Sequence, residues 1–534
     1  QPFMDMSKER ESERAGGRAY KDVPFAVAFV LHLVGVLVVC ALYTPLLSAE
    51  LTDADSDTLL SATQRRAARK AFELAAPYLV FGAIFGAIWA GLWITVVRKF
   101  AESLIWVALV TAPLIFVIVL IAAALTGVLA LALVGVIGFC LTAAYAFFII
   151  FRQRYRIEFA TLTLRTVAGV TTLFPGTLAI TFAATLPAFA FQLWWVFTLV
   201  SAVFVFVRQA DEQRAAAGAS PAGAAGSGER FDTGISSAGN ACIAYLLFAN
   251  FWTSQVIQNV VHVTVSGVFG SWYFMNGCVP RAPTLGALRR ALTTSFGSIC
   301  LGSLLVAIVQ LVRELIEGAR RQQGSLLGAL LLCCVSCAVG CVEWLIERFN
   351  AFAFVQVAVY GRGFVEAAKA TVQLVKSSGA TALINWNLTS SAVVLGELVG
   401  GVIGAVAVGL ASYDQLYSPA LEPGAIEEAR TLYTALYVVC ILFAFACAYA
   451  FTAMVSSTVT SGVTTLFVCW AEDPAALFHS NPELHLKFEE ITSKFLAELP
   501  PGEQQRLHAL GGAHARRWTQ PPPAPVVRPQ ELTV

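Results

Sequence analysis

The sequence predicts an all-α, polytopic helical membrane protein with about ten transmembrane helices and both termini cytoplasmic. Three observations carry that prediction. Hydrophobic residues make up 57% of the 534 and charged residues 13%, against about 25% charged in a soluble domain. Mean hydropathy is +0.71. The apolar residues also gather into runs of the ~20 that cross ~30 Å of hydrocarbon, where a single span must be helical to satisfy its own backbone. The net charge of +1 leaves no electrostatic footprint for nucleic acid, so the bilayer is the expected partner.

In chain order the runs are 24–48, 72–96, 102–124, 127–150, 176–207, 239–265, 293–312, 326–347, 380–411 and 430–456. The fifth is long and contains Pro187; it reads as one kinked span or two half-spans and is counted once. Lys8, Arg10, Arg14, Arg18 and Lys21 before the first run put the N-terminus inside, as do Arg152, Arg154, Arg156 and Arg165 after the fourth. Residues 1–23 are then a cytoplasmic segment, 24–456 the transmembrane domain and 457–534 a cytoplasmic tail, Pro-rich from Pro521. Residues 209–238, rich in Ala, Gly and Ser, read as a flexible loop. Residues 152–168 and 349–377 mix charge with apolar residues at helical spacing and read as amphipathic helices on the cytoplasmic face.

Twelve cysteines lie mostly within the runs. Cys333, Cys337 and Cys341 share one helix face; small apolar packing is the plainer reading than a metal site, and neither a metal nor a cofactor is expected. No paired carboxylates, P-loop or nucleophile motif marks an enzyme.

Polar side chains are costly in hydrocarbon and face a bundle or a water path. The sixth run carries Trp252, Gln255, Asn259, His262 and Ser266 at 3-4-3-4 spacing, which sets them on one helix face. That stripe is either a seam of interhelical hydrogen bonds or the wall of a substrate path. In the seventh run Ser295, Ser298 and Gly302 form a small-residue face suited to packing. The ninth holds Glu397 beside Gly396, Gly400 and Gly404 at small-xxx-small spacing. A buried carboxylate is either paired with a cation or protonated, which makes Glu397 a structural partner, a counter-charge for a cationic substrate or a proton-coupling group. Trp252 and Tyr437 are aromatic residues that could face an ammonium group.

Several stretches resemble the choline transporter-like family (solute carrier family 44), its fungal and protist branch in particular. They are WTSQVIQNVVHVTVSG in the sixth run, SFGSICLGSLLVAIVQLVR in the seventh, FNAFAFVQVAVYGRGFVEAAKA at 349–370 and VTSGVTTLFVCWAED at 459–473. The resemblance implies ten spans, a plasma-membrane location and sodium-independent uptake of choline or ethanolamine linked to protons. Trp252, Gln255, Asn259, His262, Glu397 and Tyr437 are the expected substrate-binding residues. The alternative is a non-transporting scaffold or lipid-organising protein whose C-terminal tail binds cytoplasmic partners.

Overall fold

The computed structural model describes residues 20–53, 62–127, 129–216, 236–275, 279–321, 326–378, 381–418 and 427–498. Every regular element among them is a helix. In order these are α1 (Val23–Asp53), α2 (Ala62–Thr126), α3 (Leu129–Arg152), α4 (Tyr155–Leu173), α5 (Gly176–Ala216), α6 (Ser237–Phe274) and α7 (Pro283–Leu292). There follow α8 (Phe296–Arg321), α9 (Leu326–Tyr360), α10 (Phe364–Ser378), α11 (Thr381–Ser412), which continues into a π-helical turn Tyr413–Tyr417, α12 (Glu427–Glu472), α13 (Pro474–Ser480) and α14 (Pro482–Glu498).

Each of the ten apolar runs lies in a helix to within three residues. Among the described residues, seven helical segments are long and apolar enough to cross a membrane: Val23–Pro45, Glu73–Thr126, Ala132–Phe151, Gly176–Ala210, Phe296–Arg320, Leu388–Tyr417 and Tyr433–Glu472. The second is 54 residues long and takes in two of the runs, divided by one non-helical residue, Phe100 (φ −115°, ψ 22°). The outward faces are apolar, as on α1, where Leu31, Val34, Leu37, Val38 and Leu42 are exposed. Such a surface would be a liability in water and suits lipid.

Several boundaries differ from the sequence reading. α5 runs through Pro187 as one helix and on to Ala216, so the expected loop 209–238 begins helical; residues 217–235 lie outside the described part. α12 carries on to Glu472, well past residue 456. Residues 349–360 complete α9, and the chain then turns at Gly361, whose φ of +66° suits a residue without Cβ. Only Phe364–Ser378 forms the separate helix α10.

The segment around 152–168 departs most. α4 packs more deeply than an amphipathic pattern suggests: Phe159, Ala160, Leu164, Val167 and Ala168 are buried in the main core, which joins α2, α3, α4, α6, α9, α10, α11, α12, α13 and α14. Its threonines make this possible. Thr163 and Thr171 donate their hydroxyls to the carbonyls of Phe159 and Val167 on the turn before, so polar letters present methyl groups to the core.

At the C-terminal end the sequence repeats one device. Asp473 and Asn481 each precede a proline, and their side chains accept the amides of Ala476 (3.3 Å) and Leu484 (3.1 Å). A capping side chain followed by Pro at the first helical position starts α13 and then α14. α14 docks back on the core through Phe488, 5.2 Å from both Phe159 and Trp470. Residues 499–534, with the Pro-rich end, lie outside the described part.

Candidate substrate site

The polar stripe of α6 is sewn to three helices. The indole Nε1–H of Trp252 donates to the Cys300 carbonyl in α8 at 3.1 Å. Asn259 Nδ2–H donates to Ser303 Oγ, also in α8, at 2.9 Å. His262 spans two further helices, with Nε2 3.0 Å from the Ala351 carbonyl of α9 and Nδ1 2.8 Å from Ser461 Oγ of α12. A carbonyl only accepts, so Nε2 carries the proton and the neutral ring accepts from Ser461. Gln255 is half-buried. Ser266 is fully buried, and its hydroxyl has no partner among the described residues. Beside the stripe, Asn350 Nδ2–H donates to the Gly302 carbonyl at 2.8 Å.

The small-residue face of α8 serves this seam. A Cβ on Gly302 would meet the rings of Phe354 and Phe364. Ser298 donates to the carboxylate of Asp22 at 2.6 Å, and the same oxygen accepts the Phe364 amide at 2.7 Å. Asp22 thereby ties the entry to α1 to the first turns of α8 and α10.

The indole of Trp252 is 4% exposed and belongs to an aromatic enclosure built by α1 and α6. Phe29 lies 5.2 Å from it edge-on, Phe248 5.6 Å and the imidazole of His32 4.9 Å. Tyr245 adds a fourth ring 5.9 Å from His32, and its hydroxyl donates to the His32 carbonyl at 2.8 Å. Tyr245 can lie this close because Gly35 has no Cβ to strike its hydroxyl. His32 stands nine residues into α1, about 14 Å along the axis at 1.5 Å per residue, close to half of a ~30 Å hydrocarbon layer.

Glu397 and Tyr437 stand elsewhere, on the side formed by α2, α11 and α12. Glu397 is half-buried beside Tyr449 and Ser456 of α12. The glycines around it are packing positions. A Cβ on Gly396 would fall on the Trp93 indole, one on Gly400 on Thr452 and Trp89, and one on Gly404 on Ala448. The buried indole N–H groups of Trp89 and Trp93 have no hydrogen-bond partner among the described residues. Tyr437 donates to the Gly409 carbonyl at 3.3 Å and lies 5.0 Å from Tyr417 in a separate small cluster. The described contacts group Trp252, Asn259 and His262 on one seam, while those of Glu397 and Tyr437 are with α11 and α12. Phe29, His32, Tyr245 and Phe248, which sequence reading missed, complete the enclosure. Their local signals were Phe29 and His32 three apart on α1, and Tyr245 and Phe248 at 3-4 spacing with Trp252 on α6.

Residues 137–475 match the family model described as plasma-membrane choline transporter. The chain belongs to the choline transporter-like family. It is similar to fungal proteins named Protein PNS1. The one from Gibberella zeae is 33% identical over 342 residues, 64% of this chain and 59% of that protein. The one from Cryptococcus neoformans is 32% identical over 372 residues, 68% and 62%, and the one from Yarrowia lipolytica 32% over 346, 64% and 56%. The chain thus spans about three-fifths of the length of these relatives. As a member of the choline transporter-like family with several membrane-length apolar helices, it is a multi-pass membrane protein of a transporter family. The family match takes in Tyr245, Phe248 and Trp252 on α6 but begins after α1, so Phe29 and His32 lie outside it.

Proposed function

We propose that this chain carries choline or a related small organic cation, ethanolamine included, across the plasma membrane by alternating access, with ten spans and both termini cytoplasmic. One observation carries the reading: an aromatic enclosure around Trp252 at mid-helix depth, in a chain of this family. A quaternary ammonium has no N–H to donate, so aromatic faces within ~6 Å are what holds it.

Trp252 faces the ammonium. Gln255, on the same stripe, meets the hydroxyl of the substrate. Asn259 and His262 fix the wall through their bonds to Ser303, Ser461 and Ala351. Glu397 supplies negative charge on the α2–α11–α12 side of the path, and Tyr437 lines the same side. Uptake is independent of sodium, and a proton gradient is the coupling to examine. The test is equilibrium binding of labelled choline to purified protein. Saturable binding that Trp252→Leu abolishes supports the reading; equal binding by the two proteins removes Trp252 from the site.

A further inference from the structure

The enclosure is already full. Four rings surround the His32 imidazole at centroid distances of 4.9 Å (Trp252), 5.8 Å (Phe29), 5.9 Å (Tyr245) and 6.0 Å (Phe248). The imidazole is anchored only lightly. Nε2 lies 3.3 Å from Thr253 Oγ1, and Nδ1 is buried with no partner among the described residues. A side chain with one ring nitrogen unsatisfied is held by its aromatic surroundings more than by hydrogen bonds. The rings that would grip an organic cation therefore grip this residue, which is 8% exposed.

We propose that His32 is a built-in occupant of the aromatic box, which an organic cation must displace in order to bind. This rests on the box being the cation site. Imidazole and substrate exclude one another sterically, because both need the Trp252 face, so His32 sets the apparent affinity and helps select the substrate. Only a cation whose hold on the four rings exceeds that of the imidazole opens the box. α1 carries both the occupant and one wall, Phe29, while α6 carries the other three rings. The contact between these two helices is accordingly the one that substrate loads.

The consequence is measurable without transport. An occupant present nearly all the time lowers apparent affinity by the fraction of time the box stands open. His32→Ala should therefore bind choline about tenfold or more tighter than the parent chain. Free imidazole, added to the variant, should compete with choline for the vacated space and raise the thermal midpoint of the variant but not that of the parent. Thr253→Val, which removes the Nε2 anchor without opening a cavity, should tighten choline binding by about twofold to tenfold; it serves if His32→Ala does not fold.

The experiment is calorimetric titration of choline and of tetramethylammonium into the three purified proteins. Tighter binding in His32→Ala or Thr253→Val supports the proposal. Binding of tetramethylammonium but not choline to His32→Ala keeps the occupant and overturns choline as the substrate. Equal affinity in all three proteins overturns the occupant and leaves the cation site standing. No quaternary ammonium binding to folded His32→Ala overturns both.

Discussion

Nδ1 of His262 lies 2.8 Å from the hydroxyl of Ser461, joining α6 to α12 across 199 residues of sequence. With Nε2 bonded to the Ala351 carbonyl, the ring has no free valence and works as a three-helix strut. Ser461→Ala should lower stability by about 0.5–1.5 kcal/mol and His262→Ala by more, since the latter loses both bonds. Thermal unfolding in detergent reads the order. Equal midpoints for His262→Ala and the parent chain would remove the strut.

Asp22 has a φ of 52°, the one positive value outside glycine among the described residues. Asn tolerates that backbone and can still accept the Phe364 amide and the Ser298 hydroxyl. Asp22→Asn should cost little, and Asp22→Ala about 1–3 kcal/mol through loss of both bonds. A midpoint for Asp22→Ala within a degree of the parent would contradict the tie between α1, α8 and α10.

The glycine seam of α11 makes a graded prediction. Gly396→Ala drives a methyl into Trp93 and Gly400→Ala drives one into Thr452 and Trp89, whereas at Gly409 the nearest atom is Ile441 Cδ1 at an ordinary 3.4 Å. The first two should lose about 1–3 kcal/mol, and Gly409→Ala should fold as the parent does. Monodispersity and thermal midpoint after purification separate them.

His485, on α14, sits 5.5 Å from both Trp470 and Phe478. Burial pulls its pKa below the usual 6.5; Glu489 opposes the shift and His479 adds to it. The undocked helix therefore takes up the proton first. Docking is intact above about pH 6.5 and weakens as pH falls below it. Hydrogen-exchange protection across Pro482–Glu498, taken relative to the intrinsic rate at each pH, should fall as pH drops from about 7.5 to about 5.5 in the parent and change less in His485→Leu.

Much of the fold was legible because membrane spans announce themselves by length and apolarity. All ten runs fall in helices, and the spacings 252/259/262 and 396/400/404 mark real packing faces. The Phe100 break falls where Arg98, Lys99 and Glu102 already part the second run from the third. α4 escaped because back-bonded threonines look polar as letters and pack as apolar side chains. The site was half legible: periodicity put Trp252, Asn259 and His262 on one face, but nothing in a sequence says that α1 lies against that face. Phe29 and His32 come from more than 200 residues away. For Glu397 and Tyr437 no partners could be read from the sequence; their described contacts are with α11 and α12.

Labelled choline uptake into proteoliposomes holding this protein alone, with and without a pH gradient, tests transport itself. Saturable uptake, blocked by unlabelled choline and lost in Trp252→Leu, is the predicted result. Uptake no greater than in empty liposomes, from protein shown to be folded and inserted, would contradict it.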